Sequence, residues 1–196
     1  MMIQQEKKAQ RHEQILLRLD ELTYATRKQL QVIEKLGGDR NAHRILYQME
    51  KDKTIASVRY EYKIYYLSNR GKDRIGSKQA ELKKAWITHS LMRNDLYIRL
   101  GQPSDWRKEV PIAWGENKLI PDATYKRRGE FQFIEIDNTQ SMQTNVGKID
   151  KYKELSRVVF GQYKHTPTVI WYSLSEVRKG KLREACENAG VKYRIY

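Results

Sequence analysis

The sequence predicts an α+β protein in two parts: a helical first part closed by a two-stranded hairpin, and an α/β second part built on a mixed central sheet. Three observations carry this expectation. Apolar residues recur at spacings of three and four as far as Met49, then at every second residue from Val58 to Tyr66. From Lys78 onward a helical pattern gives way to short extended segments, and these to alternating helices and strands. Between the two patterns lies a polar stretch, residues 68–77, which sets the expected domains at 1–76 and 77–196.

In the first part, Ile15, Leu16, Leu19 and Leu22 form one apolar face among charged neighbours, so the first helix lies here. Thr26-Arg27-Lys28-Gln29 reads as a capping box, in which the Thr26 hydroxyl and the Gln29 amide satisfy free backbone N–H groups. Leu30, Ile33 and Leu36 supply the stripe of the second helix, and Gly37-Gly38 stops it. Asp39 is the expected N-cap of a third helix with Ala42, Ile45, Leu46 and Met49 inside. Arg40, Asn41, Arg44, Tyr47, Gln48 and Lys51 then face outward. Val58, Tyr60, Tyr62, Ile64 and Tyr66 alternate as a strand pair does, with a tight tip near Glu61-Tyr62-Lys63.

Three helices and a hairpin in this order make a winged helix-turn-helix, whose third helix enters the major groove of DNA. Arginine there grips guanine edges, and asparagine or glutamine grips adenine. The expected base readers are therefore Arg40, Asn41, Arg44 and Gln48. Lys35, Arg59, Lys63 and Arg70 are expected on phosphates, where they position the protein without reading sequence.

The second part opens with helical spacing over residues 78–100, from Leu82 through Met92 to Leu100, with His89 expected inside as a hydrogen-bonded core residue. Extended segments follow at 107–114, 118–125 and 130–137, the last two joined by the basic turn Lys126-Arg127-Arg128-Gly129. A helix over 144–160, a strand over 168–172, a helix within 175–188 ended by Gly190 and a strand over 191–195 complete the order.

The expected chemistry lies on two of these strands. Ile120-Pro121-Asp122 offers one carboxylate, and Phe133-Ile134-Glu135-Ile136-Asp137 offers two more. Period-two geometry sends Glu135 and Asp137 to the same face, about 7 Å apart. Two like charges so close repel unless a cation or a proton joins them. Asp122, Glu135 and Asp137 are thus the expected ligands of Mg²⁺ or Mn²⁺, which prefer carboxylates, and the metal would polarise a phosphate and activate water. Lys148, Lys151 and Tyr152 share a helix face by spacing. Lys148 is the expected fourth catalytic residue, orienting the nucleophile or offsetting transition-state charge, and Gln140, Lys151 and Tyr152 support the site or contact phosphate.

Composition narrows the partner. The chain has 38 Lys and Arg against 24 Asp and Glu, a formal charge of +14, which points to a polyanion. The excess is shared: 17 basic and 10 acidic residues fall in 1–78, and 21 and 14 in 79–196. The single cysteine, Cys186, excludes an internal disulfide or a Cys-rich zinc site. The sequence has no run of apolar residues long enough for a membrane span, and the N-terminal segment lacks the apolar core of a secretory signal, so a cytoplasmic protein is expected.

Pro121-Asp122 followed by Glu135-Ile136-Asp137, in an αβββαβ order, resembles the PD-(D/E)XK nuclease superfamily. Asp137 stands where that superfamily has a lysine, and Lys148 on the next helix is the candidate replacement. The winged helix together with residues 133–140 (Phe-Ile-Glu-Ile-Asp-Asn-Thr-Gln) and 148–152 (Lys-Ile-Asp-Lys-Tyr) resembles the replication-relaxation family of plasmids, phages and conjugative elements. The resemblance implies a duplex DNA-binding protein of replication or relaxation, with double-stranded DNA and a relaxase or replication initiator as partners, and Mg²⁺- or Mn²⁺-dependent nicking or endonuclease cleavage. The alternative, motivated by the missing strand lysine, is a catalytically inactive accessory or regulator. A homodimer is left open.

Overall fold

In the computed structural model, which describes residues 2–196, the chain divides at Ile98/Arg99 into two units. The first begins with α1 (Met2–Leu22), which buries the expected face Ile15, Leu16, Leu19 and Leu22. A two-residue strand, β1 (Ala25–Thr26), leads into α2 (Arg27–Ile33). The expected capping box is formed. The Gln29 backbone N–H donates to Thr26 Oγ1 at 3.1 Å, and the Thr26 N–H donates to Gln29 Oε1 at 3.1 Å.

α2 stops at Ile33, earlier than expected, because the turn begins at Lys35 (φ 49°), ahead of Gly37 (φ 72°). α3 (Asp39–Lys51) buries the stripe Ala42, Ile45, Leu46 and Met49. Its N-cap is Gly38, so the Asp39 expectation is corrected by one position. Asp39 is instead the first helical residue, where its charge complements the positive end of the helix and meets Arg27 at 3.1 Å. β2 (Ile55–Arg59) and β3 (Lys63–Leu67) pair antiparallel around the tip Tyr60-Glu61-Tyr62, and β1 joins β3 to give the order β1-β3-β2.

The polar stretch expected to separate the domains is a helix, α4 (Asn69–Ile75), capped by the Ser68 hydroxyl and closed by left-handed Gly76. Its sequence has the composition of a linker, but Gly71 lets the helix lie directly on the Thr54 carbonyl. The next helix, α5 (Ile87–Arg99), starts nine residues later than residue 78, after a 3-10 turn at Lys84–Trp86. It is built into the first unit. Ile87 packs with Tyr24 and Ile64, the Asn94 amide donates to the Tyr24 carbonyl at 2.6 Å, and the Gln29 amide donates to the Leu91 carbonyl at 2.9 Å. The division therefore falls at the end of α5 rather than near residue 76, and His89 is half-buried rather than a core residue.

In the second unit, β4 (Arg107–Lys108), β5 (Ile112–Trp114), β6 (Asn117–Leu119), β7 (Ala123–Arg127) and β8 (Glu130–Asp137) precede α6 (Met142–Tyr163). β9 (Thr168–Ser173), α7 (Glu176–Ala189) and β10 (Tyr193–Ile195) follow. Five strands form a mixed sheet in the order β10-β9-β8-β7-β4, with β8, β9 and β10 parallel and β7 and β4 antiparallel. The segments expected at 107–114 and 118–125 each break in two, because Pro111 and Pro121 lack the N–H that would continue a ladder. The inner pieces, β5 and β6, form a hairpin of their own. Phe133, Trp171, Tyr152, Leu155, Leu182 and Cys186 make a core in which sheet residues meet α6 and α7. Among the described residues no helix is long and apolar enough to cross a membrane.

Candidate functional site

Two places on the chain gather the residues that the sequence singled out. The first is the outer surface of α3 and the hairpin. Burying Ala42, Ile45, Leu46 and Met49 turns the opposite face of α3 to solvent, so Arg40, Arg44 and Tyr47 are exposed. Asn41 is partly committed elsewhere. Its amide donates to the Leu36 carbonyl at 2.7 Å, closing the turn between α2 and α3, and its oxygen accepts from Arg44 Nη2 at 2.8 Å. The Gln48 amide donates to Asp52 at 2.9 Å.

On the hairpin, Arg59 is exposed at the end of β2, whereas Lys63 is paired with Glu50 at 2.6 Å. Burial pushes the Glu50 carboxyl up, but the Lys63 and Ser57 hydrogen bonds outweigh it and hold Glu50 below its ordinary range. Tyr60 and Tyr62 at the tip are 61% and 65% exposed. Lys35 and Arg70 are exposed as well. This surface presents exposed cations and two aromatic rings, and Arg44 is pre-oriented by Asn41.

The second place is the C-terminal end of β8. Strand alternation places Phe131, Phe133, Glu135 and Asp137 on one face, as expected, and Phe133 stacks on Tyr152 of α6 with ring centroids 5.6 Å apart. Glu135 is fully buried. It accepts from Lys148 Nζ at 2.5 Å and from the Tyr152 hydroxyl at 2.6 Å, so two residues one helical turn apart hold one carboxylate. Burial raises the Glu135 pKa to about 7, and neighbouring Asp122 adds to the rise against the opposing pull of Lys148 and Tyr152. Burial and the Glu135 charge together drive the Tyr152 hydroxyl well above its ordinary value.

Asp137, two residues on, is committed differently. Arg178 from the first turn of α7 grips it with two hydrogen bonds, Nε to Oδ2 at 2.7 Å and Nη2 to Oδ1 at 2.5 Å. The Asn145 amide adds a third at 2.7 Å. Burial pushes the Asp137 carboxyl up, but hydrogen bonds from Arg178, Asn145 and Ser173 prevail and hold it below the usual value. Arg178 also donates to the Gln140 carbonyl at 2.6 Å, so Gln140 contributes its backbone rather than its side chain. Arg178 was not foreseen, since 41 residues separate it from Asp137 and nothing local marks the pair.

Asp122 follows Pro121 and accepts from the Ile136 backbone N–H at 2.6 Å, continuing the contact between β7 and β8 where the proline has interrupted the ladder. Of the expected set, Asp122, Glu135, Lys148 and Tyr152 come together, and Lys151 is solvent-exposed. The three carboxylates expected to share a metal have separate partners. Asp137 is turned over to Arg178, and among the described residues no group of three His, Cys, Asp or Glu side chains is placed to hold a metal ion. A guanidinium in two-pronged contact with Asp137 occupies the oxygens that Mg²⁺ or Mn²⁺ would need. The residues present therefore do not fit the expected metal set.

No curated protein matches the chain. Two solved structures resemble it at a distance. Can2 from Sulfobacillus thermosulfidooxidans, solved in complex with cyclic tetra-adenylate, is 12% identical with a TM-score of 0.36, over 96% of this chain and 50% of that one. Protein VC1899 from Vibrio cholerae is 14% identical with a TM-score of 0.39, over 94% and 52%. The chain thus spans about half the length of each. The replication-relaxation family matches residues 16–169, from within α1 through both units to the start of β9. That match covers well over half of the sequence, and the chain belongs to the replication-relaxation family.

Proposed function

We propose that this chain is a cytoplasmic duplex DNA-binding protein that acts in replication or relaxation of a mobile element, with its first unit serving as a winged helix. Family membership supports the replication or relaxation role. The single observation that carries DNA binding is the exposed face of α3. Arg40, Arg44 and Tyr47 stand opposite a wholly buried stripe, in a helix joined by a short Gly turn to α2 and followed by a hairpin with exposed Arg59. An exposed arginine oriented by one hydrogen bond to a neighbouring side chain, as Arg44 is by Asn41, suits a guanine edge.

The reading is tested by fluorescence anisotropy on duplexes carrying the element's origin and on random duplexes. Arg44→Ala is expected to remove about 1–3 kcal/mol of site preference, whereas Arg59→Ala weakens binding to every duplex. Equal losses on both duplexes for Arg44→Ala would remove α3 from base readout.

For the second unit, a PD-(D/E)XK-like site has one observation in its favour, the meeting of Asp122, Glu135 and Lys148 on adjoining elements. Against it, Asp137 is neutralised by Arg178. The balance supports the accessory reading, in which the chain binds DNA and serves a relaxase or replication initiator. Incubation of supercoiled origin plasmid with Mg²⁺ or Mn²⁺ decides the matter. Unchanged plasmid is the expected result, and nicked or linear product that disappears in Glu135→Ala would restore the nuclease.

A further inference from the structure

At the opposite end of β8 from Glu135 and Asp137, roughly 20 Å away along the strand, the charge pattern reverses. β7 and β8 are joined through Arg128-Gly129, both at positive φ (53° and 84°), with Arg127 paired to Glu130. This is the two-residue turn whose twist matches a hairpin, and Asn or Asp usually fills its first position. An arginine there holds a conformation that costs a side chain about 1 kcal/mol or more. Neither Arg127 nor Arg128 makes a side-chain hydrogen bond or ion pair to another described residue, and both are exposed.

Across the sheet, Lys192 and Arg194 at β10 face the same space, and the four cations line an open cleft of about 290 Å³ with Glu130 and Gln132. The cleft is built rather than incidental. Gln132 is buried, its amide donates to the Glu130 carbonyl at 3.3 Å, and its oxygen accepts from Arg194 Nη2 at 3.1 Å. Arg194 is thereby held on the cleft wall. The one acidic side chain, Glu130, meets Lys192 at 3.2 Å in a half-exposed pair of small energetic weight, which leaves three cations uncompensated. Guanidinium groups on opposite walls match the oxygens of a phosphate, which accept two parallel hydrogen bonds from such a fork.

We propose that the cleft lined by Arg127, Arg128, Lys192 and Arg194 is a sequence-independent phosphate-binding site that takes the phosphodiester backbone of duplex DNA. The inference rests on the reading of the chain as a DNA-binding protein and extends it to a surface of the second unit.

The test is an amide-resonance titration of the full chain with a short random-sequence duplex, paired with salt-dependent binding of Arg127→Gln/Arg128→Asn. Asparagine tolerates the positive φ at 128, so the turn is kept. Lys192→Gln, at another exposed position, gives an independent variant. The expected result is movement of the amides at 126–130 and 192–194, together with a log–log salt slope flatter by about 0.9 for each phosphate that a variant no longer neutralises. An unchanged slope in both variants overturns the site. Shifts confined to α3 and the hairpin overturn the cleft and leave the proposed function standing. Shifts confined to the cleft uphold the cleft and overturn α3 and the hairpin as the DNA surface, and no shift anywhere overturns both readings. Movement of the cleft amides by single-stranded RNA alone overturns the assignment to duplex DNA.

Discussion

Glu135 and Asp137 lie two residues apart on one strand face, and their surroundings drive them in opposite directions. Burial first, and then Asp122, lifts Glu135 from 4.5 to about 7 although Lys148 and Tyr152 both bond to it. A carboxyl whose folded pKa is raised contributes stability that is fully present below its unfolded value and is lost as pH rises through the folded one. The window here runs from about 4.5 to about 7, and a shift of this size corresponds to about 3 kcal/mol. Glu135→Gln, which does not titrate, is expected to flatten the fall in urea midpoint across that window. Parallel wild-type and variant profiles would show that Glu135 does not titrate there. Asp137 has the opposite sign, since it is held below 3.8 and its contribution is present above that value and lost as pH falls. Arg178→Ala strands its buried charge and should cost about 3–5 kcal/mol at neutral pH, measured by chemical denaturation. Strand and helix periods put Glu135 and Asp137 on one strand face and Lys148 and Tyr152 on one helix face, and the packing of α6 on β8 then brings Lys148 and Tyr152 to Glu135. Those two faces were legible in the sequence, whereas the capture of Asp137 was not, because Arg178 arrives through a parallel strand and another helix.

At the level of elements, chain punctuation is legible where a side chain does the capping and less so where tertiary contact decides. The Thr26/Gln29 box needs only four residues to be recognised, and Thr26→Ala should cost about 1 kcal/mol, measured as a lower denaturant midpoint. Pro111 and Pro121 break two expected strands because each removes a donor within a longer extended segment. α4 is the instructive case. Its sequence, with Gly71 and Gly76, resembles a linker, yet Ser68 caps it and Gly71 packs against the Thr54 carbonyl. A Cβ at residue 71 would overlap that carbonyl oxygen, which belongs to backbone and cannot swing aside. Gly71→Ala is therefore expected to destabilise by about 3 kcal/mol, near the upper end of overpacking effects, again seen in the denaturant midpoint. Gly180, which has open space around its Cβ position inside α7, is the control, and Gly180→Ala should be neutral or stabilising by up to about 1 kcal/mol. Similar effects at the two positions would contradict the packing argument.

For the whole molecule, the question is where one unit ends, because that decides which residues travel with the proposed DNA-binding surface. α5 buries Ile87, Met92, Leu96 and Tyr97, and Asn94 and Gln29 add hydrogen bonds to the Tyr24 and Leu91 carbonyls. Each apolar side chain of this size contributes about 1.5–3 kcal/mol when buried. Even one such contribution is large against the roughly 5–15 kcal/mol that separates a folded domain from its unfolded chain. Composition could not reveal this, since an amphipathic helix shows that it has a buried face and not which neighbour covers it. A fragment of residues 1–99 is expected to unfold cooperatively and to keep the wild-type fold of α3 and the hairpin. A fragment of residues 1–76 lacks the helix that covers Tyr24 and Ile64, and should give poorly dispersed amide resonances and no cooperative transition. If DNA is read by α3, the longer fragment retains the preference for origin over random duplex and the shorter one loses it. Cooperative unfolding of the 1–76 fragment at wild-type stability would move the boundary back to the polar stretch.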